Sequence, residues 1–214
     1  CIDHHVSNQG FADISMIEPE ASSTCEVLYK TMDADRISRS VAECIYTGII
    51  HDTGVFKYSC TSKTTMAVAG EMMEKGIDYT DIIDNSFYAK TYVQNQILGR
   101  ALLESVVFYD GKCIFSVVTQ REMEFYGVTG RELGGIVEQL RLTDGVEVAI
   151  FMYEVGEDEY KVSMRSKKQI DVAAIAAEFG GGGHVRAAGY TAKGTVHQII
   201  NCIGELIEKQ YNAM

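Results

Sequence analysis

Val106-Val107-Phe108-Tyr109-Asp110-Gly111-Lys112-Cys113-Ile114-Phe115-Ser116-Val117-Val118-Thr119 is the stretch on which the architecture turns. Two runs rich in β-branched and aromatic residues, Val106 to Tyr109 and Lys112 to Thr119, flank Asp110-Gly111. An Asp-Gly pair tolerates the two positive φ angles that a tight hairpin turn demands. Before this hairpin the apolar residues recur mostly at helical spacing, and from it onward strands and helices alternate. The change of period, rather than a proline- or serine-rich linker, marks a domain boundary in a chain with one proline.

Upstream, Phe11 to Ile17 alternates as a strand closed by Pro19, and Ser23 with Glu26 has capping-box spacing for a helix from Thr24 to Met32. A second helix, Ser40 to Ile50, sets Val41, Cys44, Ile45, Ile49 and Ile50 on one side and stops at His51-Asp52-Thr53-Gly54. A third runs from Thr65 to Lys75, ended by Gly76, with Met72 and Met73 in the core. Helical spacing returns over Thr80 to Phe87 and Tyr92 to Leu103. Downstream come a helix over Arg131 to Leu140, strands over Val146 to Glu154 and Tyr160 to Ser166 about a solvated acidic tip, and a helix from Val172 to Phe179 broken by four glycines. A short strand, Tyr190 to Ala192, and a last helix, Thr195 to Tyr211, complete an α/β chain whose second unit has its own mixed sheet.

A chain of 214 residues, 46% apolar and 23% charged, is large enough to bury a core. Its net charge of −11 excludes holding long duplex nucleic acid through the overall field, so an anionic ligand must be met by a local cluster or by metal ions. No apolar run of membrane-spanning length and no basic-then-apolar leader appears, which sets the expectation of no membrane partner and a cytoplasmic location. Six cysteines without a Cys-x-x-Cys pair read as reduced, mostly buried thiols. The opening Cys1-Ile2-Asp3-His4-His5 reads as the end of a strand whose upstream partners are not in the sequence.

Asp3-His4-His5 offers two imidazoles and a carboxylate, the donors of a divalent ion and the group that fixes a ligand's tautomer. Strand alternation would point the two imidazoles in opposite directions, one to metal and one to substrate. Asp52, at a helix end before a glycine, supplies a second ligand, still short of the three that a catalytic centre takes. Gly180 to Gly183 followed by His184-Val185-Arg186 lets main-chain N–H groups face an anion beside a cation. Ser163, Arg165, Ser166, Lys167 and Lys168 bring a second basic, hydroxyl-rich segment into the same unit. The run lacks the ending of a phosphate loop and the spacing of a dinucleotide fingerprint. Tyr58, Tyr88, Tyr92 and Tyr126 read as half-buried packing, and His197 as a surface or capping residue.

Taken together, Asp3-His4-His5, Ala21-Ser22-Ser23-Thr24, His51-Asp52-Thr53-Gly54 and the run Gly181 to Gly189 resemble the DHH/DHHA1 phosphoesterase superfamily. Within it the chain looks most like the nano-RNases, which degrade very short RNA and remove the 3′-phosphate of 3′-phosphoadenosine 5′-phosphate. The resemblance implies the C-terminal part of a DHH domain, a parallel sheet flanked by helices, over residues 1–88. It implies a helical connector over 89–104 and a DHHA1 substrate-binding domain of mixed sheet and helices over 105–214. It further implies two-metal hydrolysis with Mn²⁺, His4 and Asp52 as ligands of one ion, Asp3 as the carboxylate behind them and His5 beside the scissile phosphate. Ser163, Arg165, Ser166, Gly181, Gly182, Gly183, His184 and Arg186 would hold the end of a short RNA or nucleotide.

The family's earlier His-x-x-x-Asp-x-Asp and single-Asp motifs have no counterpart in this sequence. On that reading the chain is an N-terminally incomplete portion, preceded by on the order of a hundred residues, and alone binds metal poorly and turns over nothing. The alternatives are a hydrolase of cyclic dinucleotides, pyrophosphate or polyphosphate, and a non-catalytic nucleotide-binding module. Exposed edges of the second sheet would accommodate a homodimer.

Overall fold

The computed structural model describes residues 1–5 and 8–213, and the chain divides into two units, Cys1–Ala89 and Lys90–Met214. In the first, β1 (Ile2–Asp3) and β2 (Met16–Ile17) pair in parallel, Asp3 opposite Ile17. The strand expected from Phe11 is thus confined to its last two residues, because residues 12–14 bend and leave Phe11 and Ile14 in solvent. Helix α1 (Thr24–Tyr29) starts at Ser23, whose hydroxyl accepts the Glu26 N–H at 3.1 Å.

Helix α2 (Arg39–Thr53) runs past its expected end to Gly54, which caps it at φ 57°. Its buried stripe is Ala42, Ile45, Tyr46, Ile49 and Ile50, packed with Val68, Ala69 and Met72 of α3 (Lys63–Glu74). Val41 and Cys44, expected on that stripe, face solvent: Ala42 and Tyr46 complete the i, i+3, i+4, i+7, i+8 set one step round the helix. Met73, expected in the core, is also exposed. A short α4 (Tyr79–Ile82) passes into a π-helical segment, Ile83–Tyr88.

The second unit opens with α5 (Tyr92–Leu103), which buries Ile97 and Ala101 against the sheet of this unit. The chain then forms β3 (Val106–Phe108), β4 (Cys113–Val118), α6 (Gln120–Tyr126), α7 (Ile136–Arg141), β5 (Val148–Gly156), β6 (Glu159–Ser166), α8 (Val172–Glu178), β7 (Gly182–His184), β8 (Ala187–Lys193) and α9 (Val196–Asn212). The sheet order is β3-β4-β5-β6-β8-β7, with β4 and β5 parallel and the other neighbours antiparallel. The α/β class with a mixed second sheet is therefore as the sequence predicts. The opening hairpin turns through Asp110 (φ 52°) and Gly111 (φ 83°), the Lys112 N–H donating to the Tyr109 carbonyl at 3.0 Å.

Strand alternation sorts the sheet into two cores. Val148, Ile150, Met152, Val162, Met164 and Tyr190 pack with α8 and α9, and Ala149 and Phe151 pack with α5 and α7. Helix α6 was not expected, and α7 begins at Ile136 rather than Arg131, because Gly134-Gly135 delays it and Gly135 caps it at φ 90°.

The four-glycine run is not a loop. Gly180 (φ 72°) ends α8, with Gly180 N–H on the Ala177 carbonyl at 3.0 Å and Gly181 N–H on the Ala176 carbonyl at 2.9 Å, a Schellman arrangement. Gly182 to His184 then forms the edge strand β7, turning through Val185-Arg186 into β8. Here glycine is a packing requirement, since a Cβ on Gly183 would lie 2.4 Å from the Ala187 carbonyl oxygen. All six cysteines are free, but only Cys113 is buried, and Cys44, Cys60 and Cys202 are exposed, which corrects the expectation of mostly buried thiols. Tyr58, Tyr88 and Tyr92 are likewise exposed rather than half-buried. Among the described residues no helix is long and apolar enough to cross a membrane.

Candidate functional site

The strand β1 ends at Asp3, so His4 and His5 escape strand alternation, and their ring centroids lie 4.6 Å apart at an edge-on angle rather than on opposite faces. His4 Nδ1 is 3.2 Å from the Ala21 carbonyl, which can only accept, so that nitrogen carries the proton. The ring thereby presents Nε2 toward Asp52 Oδ2, 3.6 Å away. Asp3 accepts from His5 Nδ1 at 2.7 Å and from the Asn8 amide at 2.6 Å. Those contacts, the Asn8 bond foremost and the His5 bond next, hold the Asp3 carboxyl well below the usual carboxylate range.

Asp52 sits in the last turn of α2, where a negative charge opposes the helix dipole. A position unfavourable to an isolated carboxylate favours one that meets a cation. The neighbouring residues explain the motif. Thr53 is buried, donating to the Ile49 carbonyl at 2.6 Å and accepting the Phe56 N–H at 3.0 Å. Gly54 meets the Tyr58 ring so closely that a Cβ would lie 2.6 Å from it. His51 bonds Ser86 at 3.2 Å and meets Phe87 edge-on, anchoring the π-helical segment. Cys60 Sγ lies 3.7 Å from the Asp52 carbonyl. Burial, with the Asp52 carboxylate adding, pushes up both the Cys25 and Cys60 thiols.

The motif Ala21-Ser22-Ser23-Thr24 is the mount of the triplet, a role that spacing alone did not reveal. Ala21 orients His4, and the Thr24 hydroxyl reaches Asp3 Oδ1 at 3.3 Å. Ser22 and Thr65 donate to Glu26 Oε2 at 2.5 and 2.8 Å, which satisfies a carboxylate that is 2% exposed.

In the second unit, register separates the anion-suited residues. Ala149, Arg165, Ala187 and His184 form one cross-strand row, and Phe151, Ser163, Gly189 and Gly182 form the next. Arg165 is held by Glu138 at 2.5 Å and by the Met164 carbonyl at 2.9 Å. Ser166 belongs to the other face, where it is buried and donates its hydroxyl to the Ile170 carbonyl at 2.6 Å, so it does not present that hydroxyl to a ligand. Arg186 stands in the exposed turn with one guanidinium N–H on the same Ile170 carbonyl at 2.7 Å. The N–H groups of Lys168, Gln169 and Ile170 converge on Glu147, at distances from 2.6 Å, so this nest already holds a carboxylate. His197 is on the surface beside Asn201.

Histidine nitrogen and carboxylate oxygen are the groups a divalent ion takes as ligands, and His4 Nε2 and Asp52 Oδ2 lie 3.6 Å apart. Among the described residues no group of three His, Cys, Asp or Glu side chains is arranged to hold a metal ion. The pair is thus one ligand short of a catalytic centre.

A triplet mounted on a helix start, a carboxylate at a helix end and a second unit built on a mixed sheet define a chain of the DHH/DHHA1 family. Residues 1–49 match the DHH family, N-terminal domain, and residues 110–210 match the DHHA1 domain. The chain is 30% identical over 196 residues to the bifunctional oligoribonuclease and PAP phosphatase NrnA of Thermus thermophilus, covering 90% of this chain and 58% of that protein. The Bacillus subtilis protein of the same name is 26% identical over 193 residues, covering 88% and 60%. The crystal structure of an exopolyphosphatase-related protein from Bacteroides fragilis matches with a TM-score of 0.89 at 29% identity, covering 97% of this chain and 62% of that one. The chain spans about three fifths of the length of these relatives.

Proposed function

We propose that this chain serves metal-dependent hydrolysis of phosphoesters, with very short RNA and 3′-phosphoadenosine 5′-phosphate as substrates. The observation that carries the reading is the convergence of His4 Nε2 and Asp52 Oδ2 at 3.6 Å, with the other His4 nitrogen committed to Ala21. The names of the relatives in Thermus thermophilus and Bacillus subtilis support the substrate class.

His4 and Asp52 would hold an ion, for which we propose Mn²⁺ with a second ion in the complete centre. A bound divalent ion would neutralise charge on the phosphoryl oxygens. Asp3 keeps His5 oriented by accepting a hydrogen bond from its Nδ1–H, and His5 would stand beside the scissile phosphate with its Nε2 lone pair able to accept a hydrogen bond from a water or a substrate hydroxyl. In the second unit Ser163, Arg165 and His184 share one sheet face beside Gly182, where a Cβ would meet nothing within 4 Å and a nucleotide's phosphate end would find room. Arg186 adds charge at the turn. We place the activity in the cytoplasm, where six free thiols persist. A homodimer through the sheet edges belongs to the same proposal.

Hydrolysis of pApA, 3′-phosphoadenosine 5′-phosphate and pyrophosphate in the presence of Mn²⁺ tests the reading. In a version whose metal centre is complete, cleavage of the first two, lost in Asp52→Ala, is the expected result, and preference for pyrophosphate would defeat it. The two-donor count favours one rival, a nucleotide-binding module without catalysis. Calorimetric binding of the nucleotide without metal, together with no cleavage of any substrate, would establish that rival instead.

A further inference from the structure

Asp3 is a hub with an uneven division of labour. Its Oδ1 takes the His4 N–H at 2.7 Å, the His5 N–H at 3.2 Å, His5 Nδ1 at 2.7 Å and the Thr24 hydroxyl at 3.3 Å. Its Oδ2 takes one donor among the described residues, the Asn8 side-chain amide at 2.6 Å. Asn8 also closes its own loop, its N–H donating to the His5 carbonyl at 3.0 Å and its Oδ1 accepting the Gly10 N–H at 2.9 Å.

We infer that Asn8 is a positioning residue for the triplet: by tying down Oδ2 it fixes the plane of the Asp3 carboxylate, which in turn keeps His5 in its Nδ1–H form. The purpose of that form rests on the reading of the triplet as the reacting group. The physical ground is the softness of the aspartate side chain. Its terminal torsion is broad and roughly two-fold, so a carboxylate held through one oxygen swings about its axis. A free imidazole prefers its proton on Nε2, and His5 keeps it on Nδ1 only while an oriented acceptor faces that nitrogen. With Oδ2 anchored, the Nε2 lone pair of His5 stays available on the side away from Asp3.

The test is the tautomer of His5 in the metal-free chain, read from long-range ¹⁵N–¹H correlation spectra at alkaline pH, where ordinary histidines are neutral. Asn8→Asp keeps the acceptor for the Gly10 N–H and so preserves the loop, but replaces the donor to Asp3 with a repelling carboxylate. The expected result is a fall in the Nδ1–H to Nε2–H ratio of His5 of roughly ten- to a hundredfold, the worth of a charged hydrogen bond. His4, whose proton sits on the Ala21 carbonyl, should not move. An unchanged His5 ratio in a variant with wild-type far-UV circular dichroism would overturn the inference and leave Asn8 as a loop staple. Asn8→Ser removes the amide donor to Oδ2 without adding charge, keeps a hydroxyl that can accept the Gly10 N–H, and should shift His5 the same way. It carries the test if Asn8→Asp does not fold, and no shift there overturns the inference equally. A shift in His5 accompanied by no phosphoester cleavage in a version with a complete metal centre would support the positioning link and count against the phosphoesterase reading.

Discussion

Replacing Thr65 with valine removes one donor from a buried carboxylate and almost no volume. Glu26 Oε2 accepts the Ser22 hydroxyl at 2.5 Å, the Ser22 N–H at 3.3 Å and the Thr65 hydroxyl at 2.8 Å, while Lys30 Nζ stands 4.0 Å from Oε1. Thr65 is fully buried and also accepts the Ser62 N–H at 3.0 Å in the capping box of α3. Losing a hydrogen bond to a charged group costs about 1.5–3 kcal/mol, and losing the reciprocal cap bond adds roughly 0.5–1 kcal/mol. The sum is about 2–4 kcal/mol, which at a urea slope of about 2 kcal/mol/M lowers the midpoint by about 1–2 M. Urea unfolding followed by far-UV circular dichroism measures it. In a Glu26→Gln background the same change should cost at least ~1 kcal/mol less, because the charge that strengthened the bond is gone. An additive cycle, or a loss under ~0.5 kcal/mol, would show that Glu26 does not depend on Thr65 and would refute the network. The consequence reaches the triplet, since Ser22, the residue Glu26 holds, adjoins the Ala21 carbonyl that orients His4.

Three further outcomes follow from the same geometry. Asp52→Asn removes a negative charge from the last turn of α2 and should stabilise the chain by ~0.3–1 kcal/mol while abolishing Mn²⁺ binding in calorimetry; a destabilised variant would mean that the carboxylate serves the fold. Gly54→Ala forces alanine to the left-handed φ of 57° and into the Tyr58 ring, at a cost of about 2–4 kcal/mol. The steric part should return in a Tyr58→Ala background, and no dependence on Tyr58 would contradict the contact. Burial first, and then the Glu147 carboxylate, push the Cys113 thiol from its ordinary 9.0 up to about 12. Because the folded value is the raised one, the stability it contributes is full below pH 9 and is lost as the pH climbs from 9 toward 12. Iodoacetamide at pH 8 should accordingly label the exposed Cys44 and Cys202 and spare Cys113 until the chain is denatured, as peptide mass mapping would show.

Much of this architecture is legible in local chemistry. Asp110-Gly111 specifies a turn because both residues tolerate positive φ, and Ser23 specifies a helix start because its hydroxyl answers the Glu26 N–H, whereas the Glu26 carboxylate turns to Ser22 and Thr65 rather than closing the box on Ser23. What escaped was written in partners rather than in the segment itself. Glycine has no side chain to alternate, so β7 carries no period and exists only through its register with β8. Helix α6 had a signal, the box of Thr119 and Glu122, but reading Thr119 as the end of a strand concealed it. On α2 two neighbouring apolar stripes compete, and the packing of Tyr46 selects between them.

The same distinction orders the candidate site. The proximity of His4 and Asp52 joins residues forty-eight positions apart and has no periodic signature; in the sequence Asp52 stands out as a carboxylate at a helix end before a glycine, and the family resemblance adds to that reading. The basic segment, by contrast, could have been sorted from sequence. In a strand, Ser163 and Arg165 share a face and Ser166 takes the other, and the face that carries Met164 is buried. A hydroxyl on that side must find a main-chain partner, as Ser166 does with Ile170, and the alternate residues point to the opposite face, where Arg165 is paired with Glu138. Nearness in sequence to a basic cluster is therefore weaker support for substrate contact than strand parity. By that criterion the binding role proposed for the second unit would rest on Ser163, Arg165 and His184, which share a face, while Ser166 serves the fold.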